Sequence, residues 1–151
     1  MARVTGLNEL KRNLKSVSEV PSGGRLDEIA QASLVPLRDA TNRGAPRPSL
    51  RQGAVIRKMR SSGMYVREYW VAFRRGMPMR IAHLVELGTA PHSLAKGASR
   101  RYGIMQDVPP FHPGTPPEPF FRPAYESTKD EVQESFAASL WGAITSAVRG
   151  K

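Results

Sequence analysis

His83 and Glu86 stand three residues apart. On a helix that spacing puts an imidazole and a carboxylate on one face, an arrangement a metal site can use. No third ligand lies near them in sequence, so His83 is expected to be structural. His92 and His112 fall in a Pro-rich segment, and nothing in the sequence places them together. Gly23-Gly24 lacks both the flanking strand and the following Lys-Ser or Lys-Thr of a phosphate loop. Serines and threonines occur without a Gly-x-Ser-x-Gly turn, and the acids are too scattered to suggest a carboxylate pair. Cysteine is absent, which excludes disulfides, thiolate metal sites and thiol nucleophiles within these residues. No catalytic, metal or cofactor site is expected; the chain reads as a non-enzyme that works by binding.

Charge says more about what it binds. The 151 residues carry a net charge of +10, unevenly spread. Between Arg43 and Arg101 there are thirteen Arg or Lys against two acids, Glu68 and Glu86; from Tyr102 onward four basic residues face six acidic ones. A basic field of this kind favours a polyanion or an acidic protein surface, and the excess of Arg over Lys suits bidentate pairing with carboxylate or phosphate. The plainer alternative is a solvated surface of skewed composition.

The length fits a single domain spanning residues 1–151. No run of about 18 apolar residues is present, so no membrane span is expected. The polar start Met1-Ala2-Arg3-Val4-Thr5 has no signal-peptide character, and synthesis in a reducing cytoplasm is the expectation.

Periodicity then supplies the elements. Leu7, Leu10, Leu14 and Val17 mark an amphipathic helix over about Thr5 to Ser18, with Thr5 as cap. A second helical stretch starts near Arg25, with Pro36 kinking or breaking it and an end by Gly44. Ala54 to Arg60 and Met64 to Arg75 read as strands around a Ser61-Ser62-Gly63 turn. In the second strand Tyr65, Tyr69, Val71 and Phe73 share one face and Val66, Trp70 and Ala72 the other, so both faces should be partly covered. Ile81 to Leu87 is ambiguous between strand and helix; Pro78 before it and Gly88 after it favour a short helix. Ala90 to Glu118 has no period and holds six prolines, an extended excursion that is unusual inside a compact domain. Ser127 to Val148 is a strong amphipathic helix, with Asp130, Glu131 and Glu134 in its first half and Arg149 at its end. The fold class is α+β: a small antiparallel sheet packed against N-terminal helices and a long C-terminal helix.

Two segments carry a resemblance. Val85-Glu86-Leu87-Gly88-Thr89 is the first; the second is Phe111-His112-Pro113-Gly114-Thr115, followed by Pro119-Phe120-Phe121-Arg122-Pro123-Ala124 and the long helix. In this order they resemble the signature of the gene-ten-like tail-completion (head–tail joining, neck) family of tailed bacteriophages. The upstream order fits as well, from Gly6-Leu7-Asn8-Glu9-Leu10 through a second helix to Ala45-Pro46 and Leu50-Arg51. Pro48-Ser49 stands where the family often has Arg-Thr-Gly, and Pro36 is unexpected.

The resemblance implies a virion structural subunit that forms a homo-oligomeric ring, hexameric or dodecameric, joining a portal or adaptor-stopper to a tail terminator or tail tube. It implies Glu86, Gly88, Thr89, Phe120, Phe121, Arg122 and Pro123 as structural motif residues. Glu86 and Arg122 are candidates for a charge-assisted pair, or else two separately solvated charges. One of Phe120 and Phe121 should anchor the core, and Pro123 suits a first helical turn. The Pro-stiffened excursion, with Lys96, Arg100, Arg101, Tyr102, Phe111 and His112, is the expected reach to a neighbouring subunit or partner ring. The Arg-rich strands face either protein partners or DNA in the lumen, protein being favoured for most of them. The rival from another class is a basic nucleic-acid-binding module, in which Tyr65, Tyr69, Trp70 and Phe73 stack bases beside arginines.

Overall fold

A computed structural model of the chain describes residues 7–20, 24–60, 66–93 and 111–149. Its order is α1 (Leu7–Glu19), α2 (Gly24–Ser33), α3 (Val35–Gly44), β1 (Ala54–Lys58), β2 (Tyr69–Phe73), α4 (Met77–Leu87), β3 (His92–Ser93), β4 (Phe111–His112) and α5 (Phe121–Arg149). The architecture is α+β: α1, α2 and α3 pack along α5, while the ribbon β1–β2 is held by α3 on one side and α4 on the other.

Pro36 breaks the second helical stretch cleanly. The chain turns at Leu34, and Pro36 falls in the first turn of α3, where its missing N–H leaves no bond unmade. The helix stops at Gly44, ahead of the extended Ala45. Helix α3 then seats on α5 through small and hydroxylated residues. Thr41 and Thr128 are buried, and each hydroxyl donates to a carbonyl one turn back (Leu37 and Ala124, both 2.8 Å), so close helix contact leaves no polar group bare.

The ribbon is antiparallel, in register from Ala54 opposite Phe73 to Lys58 opposite Tyr69. Both strands are shorter than their sequence pattern. Two paired strands are marginal alone, and side chains from the helices fix them. The Asn42 amide both donates to the Ala54 carbonyl (3.3 Å) and accepts from its N–H (3.0 Å). Asp27 of α2 accepts from Lys58 Nζ and pairs with Arg67 Nε at 3.1 Å. Hydrogen bonds from Lys58 and Tyr69 outweigh desolvation and hold the Asp27 carboxyl below its ordinary value.

Two cores result. Leu50, Ala45, Ala82, Val85 and Phe120 join the ribbon, α4 and the start of α5, with Phe73 meeting Phe120 edge-on at 5.8 Å. Val20, Ile29 and Ala143 form a second core beneath Phe136, Leu140 and Ile144. No residue of α1 is buried, its Leu7, Leu10 and Leu14 being half exposed or more. On the ribbon, Trp70 is half exposed while Ala72 of the same face is partly buried, so that face is partly covered, as its alternation suggests.

Leu50, wholly inaccessible to solvent, joins the loop before β1 to both α4 and α5. Leu50→Ala should lower unfolding free energy by about 2–5 kcal/mol, measured by denaturant titration; a loss below about 1 kcal/mol would mean the loop repacks freely.

Candidate assembly junction

Helices α4 and α5 both start earlier than periodicity alone suggests, and each early start has a cause. Gly76, at φ 105°, turns the chain so that α4 begins at Met77, not Ile81, with Pro78 in its first turn. Helix α5 begins at Phe121 instead of Ser127 because its cap comes from elsewhere in the chain. A helix leaves its first backbone N–H groups without partners. Here the Glu86 carboxylate, on α4, accepts from the N–H groups of Phe120 (2.8 Å), Phe121 (2.8 Å) and Arg122 (3.0 Å). The next residue, Pro123, has no N–H at all. Every donor at this helix end is either satisfied by one side chain or absent.

The expected Glu86–Arg122 link therefore exists in a corrected form: it runs to the Arg122 backbone N–H. The N–H groups are fixed by the helix and carry its positive dipole end, whereas the exposed Arg122 guanidinium adds a smaller charge attraction. Burial works against the charged carboxylate, and the three backbone donors overcome it, holding the Glu86 carboxyl below its ordinary value.

Around this cap the two motif segments lie side by side. Val85 C=O accepts from Glu118 N–H at 2.8 Å, and Thr89 and Thr115 exchange backbone hydrogen bonds of 2.9 and 3.0 Å. Gly88 makes this approach possible. Its φ is +71°, and a Cβ there would lie 2.6 Å from the Thr115 carbonyl oxygen. Gly114, at φ +88°, faces the Thr89 backbone in the same manner. Phe120 is the core anchor and Phe121 is only partly buried, which decides between the two phenylalanines.

Beyond the Thr pair, the flanks of the excursion fold into a short antiparallel ladder, His92 opposite His112 and Ser93 opposite Phe111. The excursion is thus not wholly without elements. The two imidazoles, which the sequence alone could not bring together, stack at 5.1 Å. His92 Nδ1 lies 3.0 Å from the Ala90 carbonyl and so carries a proton, whereas His112 Nδ1 accepts the Gly114 N–H at 3.0 Å. Phe111 stands on the exposed side of this ladder. Lys96, Arg100, Arg101 and Tyr102, expected to reach a neighbour, lie outside the described residues. Sequence reading missed a further feature: an apolar groove of about 300 Å³ between β2, α4 and the start of α5, lined by Val71, Phe73, Met79, Ala82, Phe120 and Phe121 among others. Alternation along β2 hinted at the aromatic wall, but nothing local marked the opposite one.

Because the folded-state value of Glu86 is lowered, its contribution to stability is complete above the ordinary carboxyl value of 4.5 and is lost as pH falls through the lowered one. Glu86→Gln should cost about 1–2 kcal/mol at neutral pH and flatten the acid limb of a stability–pH curve. An unchanged limb would mean that the cap carries no charge-dependent stabilisation. Gly88→Ala should be destabilising by at least about 1 kcal/mol, with the largest loss of amide-exchange protection at Thr89 and Thr115.

Compared with family models, curated proteins and solved structures, the chain matches none.

Proposed function

We propose that the chain is a structural subunit of a phage head–tail connector, a neck or tail-completion protein that works by assembly and not by catalysis. Copies form a ring, hexameric or dodecameric, between a portal or adaptor-stopper on one side and a tail terminator or tail tube on the other. One observation carries the reading. The segments on which the resemblance rests, 85–89 and 111–124, are far apart in sequence yet share one hydrogen-bonded junction around Glu86. A chance coincidence of short Gly/Pro motifs has no reason to be mutually complementary. Each distinctive residue has a geometric task there: Glu86 caps, Gly88 and Gly114 allow backbone contact, Phe120 anchors, and Pro123 removes a donor.

A second reading draws on the open side of the ribbon. Trp70 is half exposed, and Arg60, Arg74, Arg75 and Arg80 are exposed near it in sequence. A nucleic-acid module would use such residues for stacking and phosphate contact.

Light scattering on a size column, with the chain alone and mixed with portal-side and tail-side proteins, separates the two. A discrete ring, or a complex formed with one of those partners, is expected. A strict monomer that ignores them yet binds DNA with a steep salt dependence would replace this reading with the second.

A further inference from the structure

Charge and apolar surface are left unmatched on two separate parts of the molecule. The first part is the turn from β2 into α4. Arg74, Arg75 and Arg80 are exposed there and make no ion pair among the described residues. They crowd the N-terminal end of α4, where the helix dipole is already positive and no acid occupies the first turn. Cations in that position raise the energy of the isolated chain. Beside them Met77 and Met79 are 64% and 50% exposed, and Met79 borders the apolar groove of about 300 Å³.

The second part is the outward side of α5. Asp130 and Glu134 are exposed there, Glu131 is exposed at its margin toward Ala124, and none of the three makes an ion pair among the described residues. Asp130 and Glu134 are four residues apart, a like-charge spacing that weakens a helix. Seven residues beyond Glu134, on the same face, is Trp141, 68% exposed, and seven beyond that is Val148, 47% exposed. The buried side of α5 is elsewhere, at Ala124, Thr128 and Ala143. This helix therefore has two faces with apolar content, and the cores formed among the described residues use one of them.

The two parts are complementary in sign and in shape. One offers arginines around an apolar groove; the other offers carboxylates two turns from a bare indole. Like patches repel in a contact that sets one surface against its own copy, whereas a head-to-tail contact sets basic against acidic and repeats until it closes. We propose that copies of this chain associate head to tail. The α5 face of one copy, with Asp130, Glu131, Glu134 and Trp141, docks on the β2–α4 turn and groove of the next. This rests on the ring reading above and adds to it the two surfaces that make the contact.

The test uses the full chain and four variants: Arg74→Glu/Arg75→Glu, Glu131→Lys/Glu134→Lys, all four changes together, and Trp141→Ala. All the substituted residues are exposed, so circular dichroism melting should match that of the unaltered chain and report intact folds. By light scattering the unaltered chain should form species larger than a dimer. Either charge reversal alone should leave monomers, as should Trp141→Ala. Mixing the two reversals in equal amounts, or combining them in one chain, should restore assembly. The proposal is overturned if the reversals assemble like the unaltered chain, if mixing restores nothing, or if assembly stops at a dimer. A chain that stays monomeric alone but joins a portal-side or tail-side protein overturns the head-to-tail contact and leaves the neck reading standing. A monomer that joins neither and loses DNA binding on Arg74→Glu/Arg75→Glu removes both.

Discussion

One carboxylate holds the two halves of this molecule in register. Glu86 stands on α4, partly buried beside the core built around Leu50 and Phe120, and it closes the end of α5, the helix on which α1, α2 and α3 all pack. A charged group in that place is unfavourable unless its partners are fixed in advance. The helix end supplies three aligned N–H groups, and those N–H groups in turn have Glu86 as their acceptor. The requirement is mutual, which makes the junction sensitive to geometry: Gly88 and Gly114 must let two backbones touch before the carboxylate can reach. Packing alone would tolerate a shifted α5; a three-donor cap does not.

This dependence shapes what could be read from the sequence. The helices of the N-terminal half follow from local rules, Pro36 and Gly44 included, because their signals lie within a few residues of their effects. The start of α5 does not. Periodicity starts this helix at Ser127; Pro123 suits a first helical turn, but the acceptor that closes that turn, Glu86, is 34 positions away from Phe120. Glu86 and Arg122 are legible as a candidate pair or as two separately solvated charges, and only the fold distinguishes a guanidinium from a backbone N–H as the partner. The stacking of His92 on His112 was illegible for the same reason: it follows from the Thr89–Thr115 bridge, a long-range pairing without a periodic signature. The half-exposed Trp70 and the exposed leucines of α1 mark a different limit, since amphipathic spacing reports that a face is apolar and not how fully it is covered.

That last point links the fold to its surfaces. A chain of this size has a limited interior, and here it is divided into two modest cores instead of one. Leu7, Leu10, Leu14, Trp70, Leu87 and Trp141 remain substantially exposed. Single apolar residues on a surface are ordinary, but several at helical spacing beside unpaired charges are not. An isolated chain gains nothing from them, whereas a subunit that buries them against another chain does.

Helix α5 shows how folding and assembly can share one element without competing. Its buried side is made of Ala124, Thr128 and Ala143, small residues that admit close packing by α2 and α3. Its outward side carries the acids and Trp141, which no ion pair or core cluster among the described residues uses. A helix of 29 residues, capped at its first turn by Glu86 of α4, ties that outward side to the element that follows the β2–α4 turn. The angle between two complementary surfaces decides whether a head-to-tail series closes or runs on as a filament. The Glu86 cap fixes the start of α5 relative to α4, so it helps to set that angle although it touches neither surface. A partly buried carboxylate of one subunit would thereby bear on the geometry of the proposed ring.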